Sequence, residues 1–69
     1  MNMQDILYNR LHGIISFVPN MTDNQVEEAF EIFKELDANN KYAIEEHALY
    51  HGSTLYSRIR QWRTETREY

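Results

Sequence analysis

Apolar residues recur at three- and four-residue steps through most of this 69-residue chain, and this spacing constrains the fold more than any other feature. It is the spacing of helices that each bury one apolar face. Few residues interrupt it, since the chain has one proline, Pro19, and two glycines, Gly13 and Gly52. We therefore expect an all-α protein in which residues 1–69 form a single small domain.

The pattern predicts three helices, at residues 3–17, 22–37 and 42–65. The proline ends the first helix, because a proline disfavours the helical conformation in the residue before it. The second helix begins with Thr22 and Gln25 at the spacing of a capping box, in which each side chain bonds the backbone N–H of the other residue. A run of turn residues, Asp-Ala-Asn-Asn, separates the second helix from the third.

The third predicted helix is the longest, since its apolar residues keep helical phase through a glycine. Ala48, Gly52, Leu55, Ile59 and Trp62 alternate steps of four and three, as in the seam of a coiled coil. A turn at the glycine would reorient the next helix and give no reason to keep that phase. The expected architecture is thus two shorter amphipathic helices packed on a longer C-terminal helix.

The greater length of the third helix predicts a homodimer. At about 1.5 Å per residue this helix would span about 36 Å, and the other two only roughly 22–24 Å. The seam residues Leu55, Ile59 and Trp62 would then be exposed in a monomer. Pairing of two copies along the seam would cover them.

Residues 44–64 also support a second interpretation. Within them, ALYHGSTLYSRIRQW (residues 48–62) resembles the DNA-reading helix-turn-helix of small bacterial and phage regulators, with a glycine four residues after the alanine. Ser53 stands where that motif has an apolar residue, and the next apolar anchor, Ile59, comes one step late. The resemblance implies a turn at the glycine and a second helix whose DNA contacts are Arg58, Arg60, Gln61 and Arg63.

Charge is distributed unevenly along the chain, whose net charge is −4. Residues 1–47 hold nine acidic and three basic residues, whereas residues 48–69 hold four arginines and two glutamates. Non-specific affinity for DNA comes mostly from neutralising phosphates, so an acidic chain is a poor general binder of nucleic acid. The basic C-terminal part can still bind locally.

Two charged surfaces are candidates for binding a partner. On the second predicted helix, four acidic residues fall within about 100° of arc and form an outward stripe, namely Glu27, Glu28, Glu31 and Glu35. On the third, arginines lie among aromatic residues, a composition typical of protein interfaces. The residues of this basic face are Tyr56, Arg60, Trp62, Arg63 and Arg67.

Catalytic and metal-binding signals are weak. The chain has no cysteine, no glycine-rich phosphate loop and no Gly-x-Ser-x-Gly elbow, so we do not expect an enzyme. The residues from Asp37 onward are similar to an EF-hand loop, but Tyr42 replaces its glycine and Ala48 its bidentate glutamate. His47 and His51 have the spacing of two metal ligands on adjacent helical turns, but a zinc site needs a third or fourth ligand. We predict no metal and no cofactor.

These features predict a small cytoplasmic regulatory protein without catalytic activity. It would bind another protein with a basic or nucleic-acid-binding surface and inhibit it, in the manner of host-modulating factors of phages or plasmids. We expect no membrane association, because no segment approaches the ~20 apolar residues of a membrane span. The alternative is a helix-turn-helix transcriptional regulator, and assembly into a larger complex through the seam is a third option.

Overall fold

The computed structural model describes residues 2–66, which contain four helices and no strand. In chain order these are α1 (Met3–Phe17), α2 (Asp23–Lys34), α3 (Ala38–Tyr50) and α4 (Thr54–Thr66). The radius of gyration is 11.0 Å, which is about the value expected for a compact chain of this length. The all-α prediction is confirmed. None of the helices in this part of the chain is both long enough and apolar enough to cross a bilayer.

Local capping explains where α1 and α2 begin. The Asn2 side chain accepts a hydrogen bond from the Asp5 backbone N–H at 2.9 Å, which satisfies a donor of the first turn of α1. Both bonds of the predicted capping box are present, from the Gln25 N–H to Thr22 Oγ1 at 3.2 Å and from the Thr22 N–H to Gln25 Oε1 at 2.9 Å. The predicted bounds of α1 are confirmed, whereas α2 ends three residues earlier than predicted.

The residues predicted to separate two helices instead start α3. Asp37 is the N-cap, since its Oδ1 accepts a hydrogen bond from the Asn40 N–H at 2.9 Å. Gln4 Oε1 accepts from the Asp37 N–H at 2.8 Å, so the start of α1 lies beside the start of α3. Short polar side chains such as Asp and Asn favour turns and helix starts equally, which is why the sequence pattern misplaced this boundary.

The prediction of one long helix over residues 42–65 is wrong, because the chain turns at Gly52. This residue has a φ of +64°, a left-handed conformation that favours glycine. The Gly52 N–H donates to the Leu49 carbonyl at 3.1 Å and the Ser53 N–H to the Ala48 carbonyl at 2.9 Å, a Schellman motif that ends α3. Ser53 then caps α4, since its Oγ accepts from the Leu55 N–H at 3.2 Å.

The apolar phase continues across this turn because both helices cover the same core. That core is made of the buried side chains of all four helices and the intervening loops: Leu11, Ile15, Met21, Val26, Ala29, Phe30, Phe33, Leu36, Ile44, Ala48, Leu55 and Ile59. The start of α4 is also tied to the loop between α1 and α2. There the Thr54 N–H donates to the Pro19 carbonyl at 3.0 Å, and the Met21 N–H donates to Thr54 Oγ1 at 3.1 Å.

The expectation of an exposed seam is therefore wrong. Leu55 and Ile59 are fully buried within one copy of the chain, and Trp62 is half-buried with its ring edge-on to Phe30 and Phe33, at centroid distances of 5.8 and 5.5 Å. The seam gives no reason for a second copy to pair with it. A homodimer stays a prediction without that support.

We expect Gly52→Ala to destabilise the protein by about 1–2 kcal/mol, because alanine resists the left-handed conformation that the turn requires. No atom lies within 4 Å of the added Cβ, so the effect is one of backbone conformation alone. Urea unfolding followed by circular dichroism measures it.

Gly13→Ala is the matched control, since Gly13 lies in α1 and an added Cβ there also meets nothing within 4 Å. It should leave stability unchanged or raise it by up to ~1 kcal/mol. A Gly52→Ala variant as stable as the wild type would contradict the role given to this turn.

Candidate functional site

A buried ion pair joins α3 to α4. Arg63 Nε donates to Glu45 Oε1 at 2.8 Å, and the two side chains are only 3% and 8% exposed. Arg60, which is nearly half exposed, donates from Nη1 to the other oxygen of the same carboxylate at 3.3 Å. Both oxygens of Glu45 are thus bound by arginines of α4. The carboxylate therefore offsets the positive charge of Arg60 and Arg63, which the sequence analysis placed on the basic face.

A second ion pair joins α2 to α4 at the surface. Arg58 Nε donates to Glu27 Oε2 at 2.8 Å. The Arg58 guanidinium also lies over the Phe30 ring, 4.0 Å from its centroid, which is close enough for a cation–π interaction. Arg58 therefore holds α4 against α2 and covers part of the core.

The structure does not assemble the basic face predicted on the C-terminal segment. Arg63 was expected to reach a partner or a DNA phosphate and is instead buried, because it lies one turn after Ile59 on the apolar side of α4. Tyr56 and Trp62 are half-buried against the core, and Arg67 lies outside the described residues. The remaining predicted DNA contact, Gln61, is exposed and donates from Nε2 to Glu65 Oε1 at 3.2 Å.

The acidic stripe of α2 is accessible along its whole length. Glu27, Glu28, Glu31 and Glu35 are all exposed. Two of them have cationic neighbours, since Glu27 pairs with Arg58, and Glu31 with Lys34 at 3.0 Å. The side chains of Glu27 and Glu31 are 56% and 67% exposed, so a partner can still reach both carboxylates. The role of the stripe in binding stays a prediction.

An apolar cleft runs between α1 and α2, directly beside this stripe. Its volume is about 550 Å³, within the range of ligand-binding clefts. Charged residues line its two walls, Arg10 on α1 and Glu28 and Glu31 on α2. The apolar residues of the cleft are Ile14, Val18, Met21, Ala29 and Ile32. Spacing along the chain did not reveal this cleft, because its width depends on how far apart the two helices pack.

Three histidines cluster where α1 packs on α3. The rings of His12 and His47 stack with centroids 3.6 Å apart, and the ring of His51 meets that of His47 edge-on at 4.4 Å. His47 Nε2 lies 2.8 Å from Ser16 Oγ and 3.2 Å from the His12 carbonyl oxygen. Burial lowers the pKa of His47 below its ordinary value of 6.5, and the neighbouring His12 and His51 lower it further.

The histidines do not converge on a point that a metal ion could occupy. Within residues 2–66 no group of three histidine, cysteine, aspartate or glutamate side chains has that arrangement. The segment similar to an EF-hand loop forms the first turns of α3 instead of a loop. Within residues 2–66 no carboxylate bonds the His47 imidazole beside Ser16, so this pair lacks the third group of a Ser-His-Asp triad there.

No protein-family model, no curated protein and no solved structure matches this chain.

Sequence reasoning missed Glu45, although a signal for it exists. Glu45 follows Ile44 and precedes Ala48 by three residues, so it lies on the buried face of α3. A charged residue at an apolar-face position needs an ionic partner inside the protein. Arg63 is likewise a charged residue on an apolar face, since it follows Ile59 by four residues. Two opposite charges at such positions indicate an ion pair inside the protein.

We expect Glu45→Ala to destabilise the protein by about 3–5 kcal/mol, because it leaves the Arg63 guanidinium buried without its carboxylate. A domain of this size has roughly 3–5 kcal/mol to lose, so the variant should be largely unfolded at 25 °C. Circular dichroism and urea titration measure the change.

Glu27→Ala is the control: it removes a pair whose carboxylate is exposed and should lower stability by less than about 1 kcal/mol. Equal losses in the two variants would show that burial of the Glu45 pair has no special weight.

We expect acid to destabilise the protein through His47. Its pKa is lowered on folding, so the unfolded chain binds the proton more readily. The contribution of His47 is therefore complete above pH 6.5 and is lost as the pH falls from 6.5 towards the folded-state pKa. Thermal unfolding at several pH values between about 5 and 8 measures this for the wild type and for His47→Gln.

The carboxylates are the same in both proteins, so the difference between the two curves isolates His47. The wild type should lose more stability on acidification than the variant does. Parallel curves would refute the assignment, and an NMR titration of the His47 ring protons gives a direct second measurement.

Proposed function

We propose that this protein is a non-catalytic cytoplasmic regulator that binds a basic surface of another protein through α2 and inhibits it. One observation carries the proposal: Arg58, Arg60 and Arg63 of α4 pair with glutamates of the same chain, whereas the acidic stripe stays exposed and lies beside an apolar cleft. The sequence predicted two candidate binding surfaces of opposite charge, the acidic stripe and the basic face. The packing favours the acidic one.

The positions of the charged side chains favour a cationic partner. Arg63 and Glu45 cancel each other inside the protein, and Arg60 adds to that network from the surface. Of the exposed stripe, Glu28 and Glu35 are in no salt bridge within residues 2–66. With a net charge of −4, the molecule attracts a positively charged surface and repels phosphate. Such complementarity raises the rate of association and selects the partner.

Inhibition is the mode of action that fits this surface. A carboxylate stripe can occupy a basic groove that otherwise binds nucleic acid, and it needs no catalytic group to do so. Small size and a single acidic helix face suit a host-modulating factor of the phage or plasmid kind. A homodimer is compatible with this mode, although the predicted seam would have to be replaced by another surface.

DNA binding by residues 44–64 is the second candidate, and one observation favours it. The resemblance to a helix-turn-helix requires a break at the glycine, and α3 does end there. The residues predicted to contact DNA are poorly placed to do so, since Arg63 is buried and Arg58 and Arg60 are in salt bridges. Phosphate contacts would require those arginines to leave their carboxylates, which reduces the affinity for DNA.

We expect the immobilised protein to retain a protein with a basic surface from a bacterial lysate, and the triple variant Glu28→Gln, Glu31→Gln, Glu35→Gln to lose most of it. The physical reason is loss of the charge that steers and holds a cationic partner. The control variant removes three other exposed carboxylates by Asp5→Asn, Glu46→Gln and Glu65→Gln, and it should retain the partner as the wild type does. Mass spectrometry of the retained proteins gives the comparison.

The same protein, titrated into fluorescent random-sequence duplex DNA, should leave its anisotropy unchanged at about 50 mM salt. Binding that weakens steeply between about 50 and 200 mM salt would support the DNA-binding candidate instead. Retention that is equal for the wild type and both variants would contradict a role for the stripe.

A further inference from the structure

The cleft between α1 and α2 is about as long as two turns of a helix. Its α1 wall is formed by residues 10, 14 and 18, one turn apart, and this wall spans about 12 Å at ~1.5 Å per residue. The opposite wall of α2 runs antiparallel to it, since Gln4 near the start of α1 donates to the Glu35 carbonyl just after the end of α2. Met21, in the loop that joins the helices, also lines the cleft.

The cleft also has a distinct charge on each side. Glu28 and Glu31 lie on the α2 wall and Arg10 on the α1 wall. Arg10 and Glu28 are in no salt bridge within residues 2–66, so both are available to charges on an occupant. An apolar floor between an acidic and a basic wall selects an amphipathic segment that carries basic residues on one flank and acidic residues on the other.

We propose that the cleft binds an amphipathic helix of the regulated protein. Apolar side chains at i, i+3 or i+4, and i+7 enter the cleft, lysine or arginine lies against Glu28 and Glu31, and an acidic residue lies against Arg10. This inference rests on the proposed function and names the part of the partner that α2 recognises. It assigns to the half-buried apolar residues Ile14, Val18 and Ile32 the role of contacting that helix.

A helix fits this surface better than an extended peptide. An added strand needs an unpaired sheet edge to supply its backbone hydrogen bonds, and residues 2–66 contain no strand. A helix satisfies its own backbone groups and needs from its receptor only an apolar groove and flanking charges. The walls of the cleft are themselves helices, whose backbone groups bond within each helix, so the cleft offers an occupant side chains and no sheet edge.

The test uses isotope-labelled protein and a synthetic amphipathic helix of about four turns, with leucines on one face, lysines along one flank and glutamates along the other. Amide NMR shifts are followed during titration. The largest shifts should fall on the residues of the two cleft walls. A second peptide, with the leucines replaced by glutamine, should bind at least about tenfold more weakly, because it lacks the apolar anchors.

A charge exchange tests the orientation of the helix. Glu28→Lys should weaken binding of the lysine-flanked peptide by roughly two- to fivefold, the range for an exposed ion pair, and a peptide with glutamate at the facing positions should recover it. Glu46→Lys, at an exposed position on α3, is the matched control and should change nothing. Both substitutions are at the surface, so the folded protein is preserved.

The outcomes separate the inference from the proposed function. Shifts centred on α3 and α4, or no binding of either peptide, would overturn the cleft as a helix receptor. Retention of a cellular partner that depends on Glu28, Glu31 and Glu35 would still support the proposed function in that case. Shifts at the cleft that grow with protein concentration in the absence of peptide would assign the cleft to a second copy of this chain and overturn the inference.

Discussion

The left-handed turn at Gly52 is the constraint on which the rest of the molecule depends. It ends α3 at Tyr50 and lets α4 begin at Thr54, two residues after the glycine, with Ser53 as its cap. Because α4 then returns over the body of the protein, Leu55 and Ile59 complete the core that α1 and α2 leave open. A continuous helix would have carried both residues away from that core.

The same turn determines the charge of the surface. It brings Arg63 within 2.8 Å of Glu45 and Arg58 within 2.8 Å of Glu27, so the arginines stabilise the packing of α4. A basic tail in the sequence thereby becomes part of an internally compensated structure. The acidic face of α2 stays exposed, and the proposal of a basic target rests on this exposure although the last third of the chain is rich in arginine.

The sequence predicted what local patterns determine and failed where tertiary contacts decide. Helix α1 and the Thr22–Gln25 capping box were correctly predicted, because periodicity and caps act over a few residues. The apolar spacing that continues across Gly52 led to the wrong prediction of one long helix. Two helices that cover the same core give the same spacing as one helix along a seam. Glu45, the burial of Arg63 and the cleft were not predicted, because each depends on which helices meet, and the spacing within one helix does not specify that.

Helix α1 links the two features of the molecule that respond to conditions. It forms one wall of the cleft, through Arg10 and Ile14, and it carries His12, which stacks on His47 of α3. Protonation of His47 is disfavoured in the folded state, so we expect acid to weaken the packing of α1 on α3. A helix bound in the cleft would stabilise the folded arrangement of α1 by mass action. Since both equilibria act on the same helix, occupation of the cleft and the neutral form of His47 favour the same folded arrangement.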